Sequence, residues 1–197
     1  MVTYDLQRFA PSTGLVSAQF ISVQKFHLAE MTSETATTAT YGTPVDLGKV
    51  LRRVKITPTN TTVDAYADGQ TIDTAVNTAK YELEVETAAL PLEYIAWMLG
   101  HSYSAGVMST SKDDIAPNFA MMFQSDKRNG KARLSKFYKV KFQEPETENK
   151  TKEENIEFQY PVLKATAIYR LYDGKAYDYA DEEDINFTGA ATWYTEV

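Results

Sequence analysis

The stretch that decides the fold is KYELEVETAALPLEYIAWMLGH, Lys80 to His101. Its first half alternates, because Glu82, Glu84 and Glu86 are separated by single apolar residues. Side chains of a strand repeat every two residues, so the three carboxylates would share one face and the apolar side chains would fill the other. This half therefore predicts a strand with one polar and one buried face.

The second half predicts a short helix over about residues 91–99. Pro91 suits a first helical turn, Glu93 lies near the positive end of the helix dipole, and Gly100 is placed to cap the C terminus. Apolar residues follow the i, i+3, i+4, i+7 spacing of a buried helix face. The residues predicted to pack this helix against the flank of a sheet are Leu92, Ile95, Trp97 and Leu99. His101 is expected to meet the negative end of the helix.

The three glutamates leave several kinds of surface open. Carboxylates bind Ca²⁺ or Mg²⁺, but such sites usually take converging ligands from loops, whereas alternate residues of a strand lie about 6.5–7 Å apart. A glycosidase-like pair would need a second carboxylate across a cleft. A solvated face with basic partners on neighbouring strands is a further interpretation, and Lys139 and Lys141 are the predicted partners.

The N-terminal half predicts an arm and two strands. Residues 1–18 show no period and are interrupted by Pro11 and Gly14, which is typical of an arm. Residues 18–30 alternate and predict the first strand. A Thr-, Ser- and Ala-rich loop follows, and residues 48–56 predict the second strand.

Residues 57–77 are predicted to form a long loop. The segment is polar, contains the Asp68-Gly69 turn signal and has no sustained period. Loops of this length in compact domains are uncommon and usually functional.

The segment after the helix predicts a β-hairpin. Two strand-like runs flank Asn129-Gly130, the pair favoured in a type I′ turn. The tip carries several basic residues, including Lys127 and Arg133, as solvent-exposed turns commonly do.

A charged turn, a long strand and a tail complete the chain. The turn covers about residues 145–155, and the strand, residues 156–172, is expected to bend near Pro161. Residues 173–197 are acidic yet rich in aromatic residues, so this C-terminal extension is expected to dock onto a surface. The central domain is predicted to span residues 19–172.

Bulk composition excludes several function classes. The chain has 197 residues, a net charge of -7, no Cys and two His. Disulfides, thiolate chemistry and Cys-based metal sites are therefore excluded. No run of 18 apolar residues occurs, and the first residues lack a signal-peptide core, so synthesis in the cytosol is expected. Phosphate-loop, dinucleotide, zinc-protease and nucleophile-elbow motifs are missing, so we expect neither an enzyme nor a cofactor.

The predicted fold class is mainly β. Six or seven strands and one short helix, joined by long loops, indicate an antiparallel β-sandwich or barrel with the helix on its flank.

Three blocks of the sequence resemble a known family. They are YGTPVDLGKV, ALPLEYIAWMLGH and the long block that runs from DDIAPNFAMMFQSDKRNGKARLSKFYKVKFQEPETENKTK to EFQYP. Together they resemble the phi13-type major tail protein of siphophage-like tails, over about Tyr41 to Pro161. The third block is the specific one.

The resemblance implies a tail-tube subunit with a β-sandwich and one flanking helix. Six copies would form a ring, and rings would stack into a hollow tube that conducts DNA during ejection, with no catalytic residues. It implies a subunit of a virion tail assembled in the bacterial host cytoplasm. The implied partners are further copies of the chain, a tape-measure protein inside the tube, tail terminator or baseplate proteins at its ends, and DNA passing without specific binding.

The resemblance also assigns roles to residues. An acidic channel wall would repel phosphates, so Glu82, Glu84 and Glu86 become candidates to face the lumen. The loop at 57–77 becomes a candidate contact between rings, through Val63, Tyr66, Asp68 and Gly69. A tube of a tailocin, defective prophage or injection system would obey the same physics. A carboxylate-dependent carbohydrate-active or carbohydrate-binding tail domain is the alternative of a different class.

Overall fold

The computed structural model describes residues 17–67, 70–88, 90–146 and 160–197, with side chains at these positions except 65–67 and 70–72. The strands are β1 (Phe20–Glu34), β2 (Ala39–Tyr41), β3 (Val45–Asp46), β4 (Leu51–Ala67), β5 (Gln70–Thr87), β6 (Ser102–Ser104), β7 (Val107–Ser109), β8 (Phe119–Lys127), β9 (Ala132–Phe142), β10 (Val162–Ala167) and β11 (Tyr177–Asp181). The helix α1 spans Leu92–Leu99, and a 3₁₀ turn spans Gly189–Ala191.

One antiparallel sheet contains nine of these strands. Its main order is β2-β1-β8-β9-β10-β5-β4, while β11 pairs with β9, β3 pairs with β1, and β6 and β7 form a separate hairpin. Cα atoms of β4 lie within 8 Å of Cα atoms of β1, although the main order puts four strands between them. The sheet therefore curls over a core. The predicted class, mainly antiparallel β with one short helix, is confirmed.

The core lies inside this curl and is built from alternate residues of the strands. The apolar residues between the glutamates of β5 are buried as predicted. Leu83 and Val85 are 1% and 0% exposed, and each contributes about 1.5–3 kcal/mol by burial. The other large side chains of the core are Phe26, Leu28, Leu47, Met98, Leu99, Phe119, Met121, Phe123, Phe137, Val140, Phe142 and Leu163.

The helix α1 packs on this core. Pro91 precedes its first turn, and Gly100 closes it in the left-handed conformation with φ 73°. Leu99 is buried as predicted, and Ile95 and Trp97 are partly buried against the core. Leu92 is 41% exposed, so its predicted packing is wrong. It lies in the first turn, and the buried positions follow it at Ala96, Met98 and Leu99.

Two glycines allow a direct test of packing at the helix end. A Cβ added to Gly100 would lie 2.3 Å from the carbonyl oxygen of Ile115, whereas one at Gly130 would meet nothing within 4 Å. Both residues have positive φ, so Gly130→Ala should cost about 1–2 kcal/mol. Gly100→Ala should cost roughly 2 kcal/mol more, because a backbone carbonyl must also move. Urea unfolding of both variants checks this, and equal losses would show that the contact with Ile115 is unimportant.

The loop predicted at 57–77 is wrong. Residues 57–67 and 70–77 belong to β4 and β5, which pair from Leu51↔Thr87 out to Ala67↔Gln70. The period-2 signal is missing because the outer part buries neither face, so polar residues occur at successive positions. The Asp68-Gly69 turn signal lies outside the described residues. The second strand begins at Leu51 rather than at residue 48, after a turn in which Gly48 has φ 75°.

The predicted hairpin is confirmed as β8 and β9, but its turn type is wrong. A type I′ turn requires positive φ at both Asn129 and Gly130. Gly130 has φ 78°, but Asn129 is not among the residues with positive φ. The Gly130 N–H donates to the Lys127 carbonyl, and the Lys127 N–H donates to the Lys131 carbonyl. This pattern is that of a type I turn followed by a glycine bulge.

The C-terminal extension predicted at 173–197 is part of the domain. Its strand β11 pairs with the first half of β9. Beyond it, Tyr194 stacks on His27 with ring centroids 4.8 Å apart, and the Lys136 ammonium lies 4.8 Å from the Trp193 ring centroid. This segment is a second layer over β8, whose six residues from Phe119 are buried on both faces. The expected docking surface is thus the chain's own sheet.

The remaining predictions concern segments described only in part. Strand β1 confirms the first predicted strand, and β10 confirms residues 162–167 of the last one, which ends in a turn. Residues 1–16 of the predicted arm and most of the charged turn lie outside the described residues. Among the helices that the structure describes, none is long and apolar enough to cross a membrane.

Candidate functional site

The outer part of β4 and β5 forms a two-stranded ribbon, which we define as residues 60–67 and 70–79. Every described side chain of the ribbon is exposed except Thr78, which is partly buried. At about 3.3 Å per residue, the eight residues of β4 extend about 25 Å. The ribbon therefore projects from the sandwich without packing on it.

Polar contacts between the two strands hold the ribbon in register. The Thr78 hydroxyl donates to Asn60 Oδ1 at 2.8 Å, and the Thr74 hydroxyl donates to Asp64 Oδ1 at 2.8 Å. Such an isolated pair of strands is marginally stable in water, because hydrogen bonds between strands replace hydrogen bonds to water without burying apolar surface. The described side chains of the ribbon thus lack the apolar burial that stabilises the rest of the domain.

Each face of the ribbon carries one exposed valine. Val63 pairs with Ala75 and Val76 pairs with Thr62, so the two valines lie on adjacent pairs and point to opposite faces. Each is 64% exposed. Of the four residues predicted for contact between rings, Val63 thus lies on an exposed surface. The side chain of Tyr66, with Asp68 and Gly69, lies outside the described residues.

Among the strands that the structure describes, β4 also has one edge without a paired strand, because it is the last strand of the main sheet order. Pro58 lies within it, opposite Tyr81. Proline has no N–H to donate, and strands tolerate it mainly at sheet edges. Strand β4 is 17 residues long, and a long free edge is a template for pairing with another strand.

The glutamates of β5 lie side by side on the outer face and contact basic residues. Glu86 is 3.1 Å from Arg53 Nε, Glu84 is 3.2 Å from Lys55 Nζ, and Glu82 is 3.1 Å from Lys80 Nζ. The shared face predicted from the sequence is confirmed.

The basic partners predicted for these glutamates are wrong. Lys139 bonds to Glu34 instead, and Lys141 lies opposite Thr166, one strand away from β5. The sequence did not show that β4 and β10, rather than β9, flank the glutamate strand. The opposing positions are therefore occupied by Lys55 and Lys164, both level with Glu84.

Charge on this face is not net acidic. Paired residues of adjacent strands share a face, so the register adds basic residues of three neighbouring strands to the three glutamates. The basic side chains on this face are Arg52, Arg53, Lys55, Lys80, Lys141 and Lys164, and Glu146 adds a fourth carboxylate through its contact with Lys164. Six positive and four negative charges give a local sum of +2. An acidic wall therefore does not follow from the glutamate triplet in a single chain.

A buried cation near the hairpin turn was missed by sequence reasoning. The side chain of Lys127 is 0% exposed, and its ammonium contacts Asp181 at 2.6 Å and also Glu183. Glu183 in turn accepts from the Ala18 N–H at 3.1 Å. This cluster ties the first described residues, the hairpin and the C-terminal layer together. The acidic run at residues 181–184 is visible in the sequence, but nothing in it indicates that Lys127 is the partner.

The site does not have the geometry of a metal or glycosidase centre. No three or more His, Asp or Glu side chains lie close enough to hold a metal ion within the part of the chain that the structure describes. A glycosidase pair needs carboxylates on facing sides of a cleft, whereas the glutamates of β5 stand along one strand. Comparison of the chain with family models gives no match, and comparison with curated proteins gives no significant one.

Proposed function

We propose that this chain is a structural subunit that self-assembles into stacked rings, forming a tail tube through which DNA passes. The observation that carries the proposal is the projecting ribbon, about 25 Å long and exposed on both faces. The resemblance described above supplies the number of six copies in a ring. It also supplies the partners, namely a tape-measure protein and proteins at the tube ends.

The ribbon supports stacking between rings. Among the described side chains, each face presents one valine and one aspartate together with threonine, asparagine and alanine, so burial of a face would cover a single charged residue. A neighbouring copy that covered both faces would add the apolar burial that the isolated ribbon lacks. Contacts of this kind, repeated in one direction, build a filament rather than a closed dimer.

Two free edges support closure within a ring. One is β4, and the other is the first half of β1, where residues 20–25 pair with β8 on one side only among the described strands. An edge of one copy joining a different edge of the next is a heterologous contact, which closes into a ring when the rotation permits. Ring closure would remove the aggregation hazard of both edges.

The face of the glutamate triplet is the proposed lining of the channel. Its mixed charges would present phosphates with neither a strong barrier nor an open basic site, since five of its six basic side chains are already held by carboxylates. Passage of DNA without specific binding is compatible with such a surface.

Replacing Glu82, Glu84 and Glu86 together with glutamine should slow DNA passage and leave the fold intact. Exposed ion pairs contribute little to stability, about 0–1 kcal/mol each, so the melting temperature should change little. The local charge would rise from +2 to +5, because three carboxylates are neutralised while six basic residues and Glu146 remain. Ejection rates from assembled particles at low and high salt measure the effect. Unchanged ejection, or a variant that cannot fold, would remove the support for this lining.

Sedimentation velocity of the purified chain at rising concentration tests the proposal at the level of assembly. Species of six copies, followed by much larger particles, are the expected result. A chain that stays monomeric at high concentration and binds saccharides would instead favour a carbohydrate-binding tail domain.

A further inference from the structure

The ring of His101 lies between carboxylates from two separate segments. Nδ1 is 2.7 Å from Asp114 Oδ2, and Nε2 is 3.1 Å from Glu144 Oε2. The side chain is only 6% exposed. Ionised carboxylates can only accept hydrogen bonds, so both contacts are hydrogen bonds only when both ring nitrogens carry a proton. The arrangement thus fits the charged imidazolium and not the neutral ring.

These contacts close the base of a projecting segment. We define the flap as residues 102–113, which contain β6 and β7. His101 precedes the flap and is fixed to the helix end, since its N–H donates to the Ala96 carbonyl at 2.9 Å. Asp114 follows the flap and also accepts from the Ser111 N–H at 2.8 Å. Glu144 lies just beyond β9, so its bond to His101 fastens the base of the flap to the main sheet.

Beyond its base, the flap lies beside α1, with Cα atoms of β6 and β7 within 8 Å of the helix, but it buries little surface there. All its side chains are exposed except Met108, which is partly buried, and Val107 is 62% exposed. Segments with so little buried apolar surface open locally at low free-energy cost. The orientation of the flap therefore depends strongly on the contacts at its base.

We propose that His101 is a proton-dependent latch, which fastens the base of the flap to the end of β9 when its ring is charged and releases it when the ring is neutral. The charged groups that face the ring are Asp114 from the segment after the flap and Glu144 from the end of β9. The last turn of α1 contributes no basic side chain. Loss of the proton leaves a ring nitrogen opposite a carboxylate, so one of the two contacts becomes repulsive.

The direction of the pH dependence follows from these contacts. Burial lowers the pKa of His101, but the hydrogen bonds to Asp114 and Glu144 outweigh it and raise the pKa above its usual 6.5. A raised pKa in the folded state means that the latch is fully present below pH 6.5. It is lost as the pH rises through the folded-state pKa.

Hydrogen exchange of the flap amides tests the latch. After correction for intrinsic exchange rates, protection of residues 102–113 should fall roughly tenfold or more between about pH 5.5 and 8.5. His101→Gln should give low protection at every pH. Glu144→Gln removes the exposed partner, so the transition should move to lower pH. His27→Gln is the matched control and should leave the flap unchanged.

Either of two results would overturn the proposal. One is constant protection of the wild-type flap across the pH range tested, and the other is an unaltered pH dependence in His101→Gln. If His101→Gln fails to fold, Glu144→Gln decides, because Glu144 is 64% exposed and its loss should be tolerated. An unshifted transition in that variant would contradict the latch. The latch does not depend on tube assembly, since the test uses the unassembled chain.

Discussion

Replacing Val63 with glutamate should abolish tube assembly and leave the subunit folded. Val63 is 64% exposed, so the change should alter the free energy of unfolding by less than about 0.5 kcal/mol. In a tube, the same position would be covered in every copy, and a buried unpaired carboxylate would destabilise every contact. A loss of only about 3 kcal/mol per contact raises the concentration needed for assembly by more than about a hundredfold. Light scattering against concentration measures this threshold.

Matched variants separate the ribbon from general effects of charge. Ile185 is 94% exposed in the C-terminal segment, so Ile185→Glu adds the same charge away from the ribbon and should assemble normally. Val63→Thr keeps the shape and strand preference of valine and should shift the threshold only slightly. If Val63→Glu assembled as well as Ile185→Glu, the ribbon would have no role in stacking.

Replacing Lys127 with alanine should give the largest loss of stability in the domain's polar network. The ammonium is buried, and its removal leaves Glu183 without a cation and Asp181 with Arg133 as its cationic partner, 3.1 Å away. Breaking a fully buried pair costs about 3–5 kcal/mol, and the partial exposure of these carboxylates reduces the expected cost to about 2–3 kcal/mol. For a chain of this size the melting temperature should fall by roughly 5–10 °C.

Lys127→Met provides the control for this loss, because it keeps most of the buried stem and removes only the charge. Contact with Lys127, followed by the hydrogen bond from the Ala18 N–H, lowers the pKa of Glu183 from 4.5 to about 2. Its stabilising contribution is therefore present above pH 4.5 and is lost as the pH falls towards 2. In Lys127→Met this acid-dependent part should shrink. Equal stability of Lys127→Met and wild type at pH 7 would show that the charge contributes nothing.

Alternation and capping made part of the fold predictable. Glu82 and Glu84 flank the buried Leu83. A strand with one solvent-exposed face and one buried face has this alternation of polar and apolar residues in its sequence. Gly100 marked the end of α1 because a left-handed cap favours glycine. Asn129-Gly130 marked the hairpin, although the type of turn depended on backbone angles that the pair alone does not determine.

The features that were missed depend on contacts between distant residues. The described side chains of the ribbon are exposed on both faces, so no hydrophobic period marked it as two strands. Lys127 resembles any charged residue near a hairpin tip, and its burial comes from Asp181 and Glu183, more than fifty residues later. The charge on the glutamate face depends on which strands flank β5, and strand order is a property of the whole chain.

Electron microscopy of the purified chain under assembly conditions tests the central claim most directly. Hollow tubes built of six-fold rings, with the ribbon of each copy lying against the adjacent ring, are the predicted result. Particles that remain single subunits at every concentration, or rings in which the ribbon projects freely into solvent, would contradict the account.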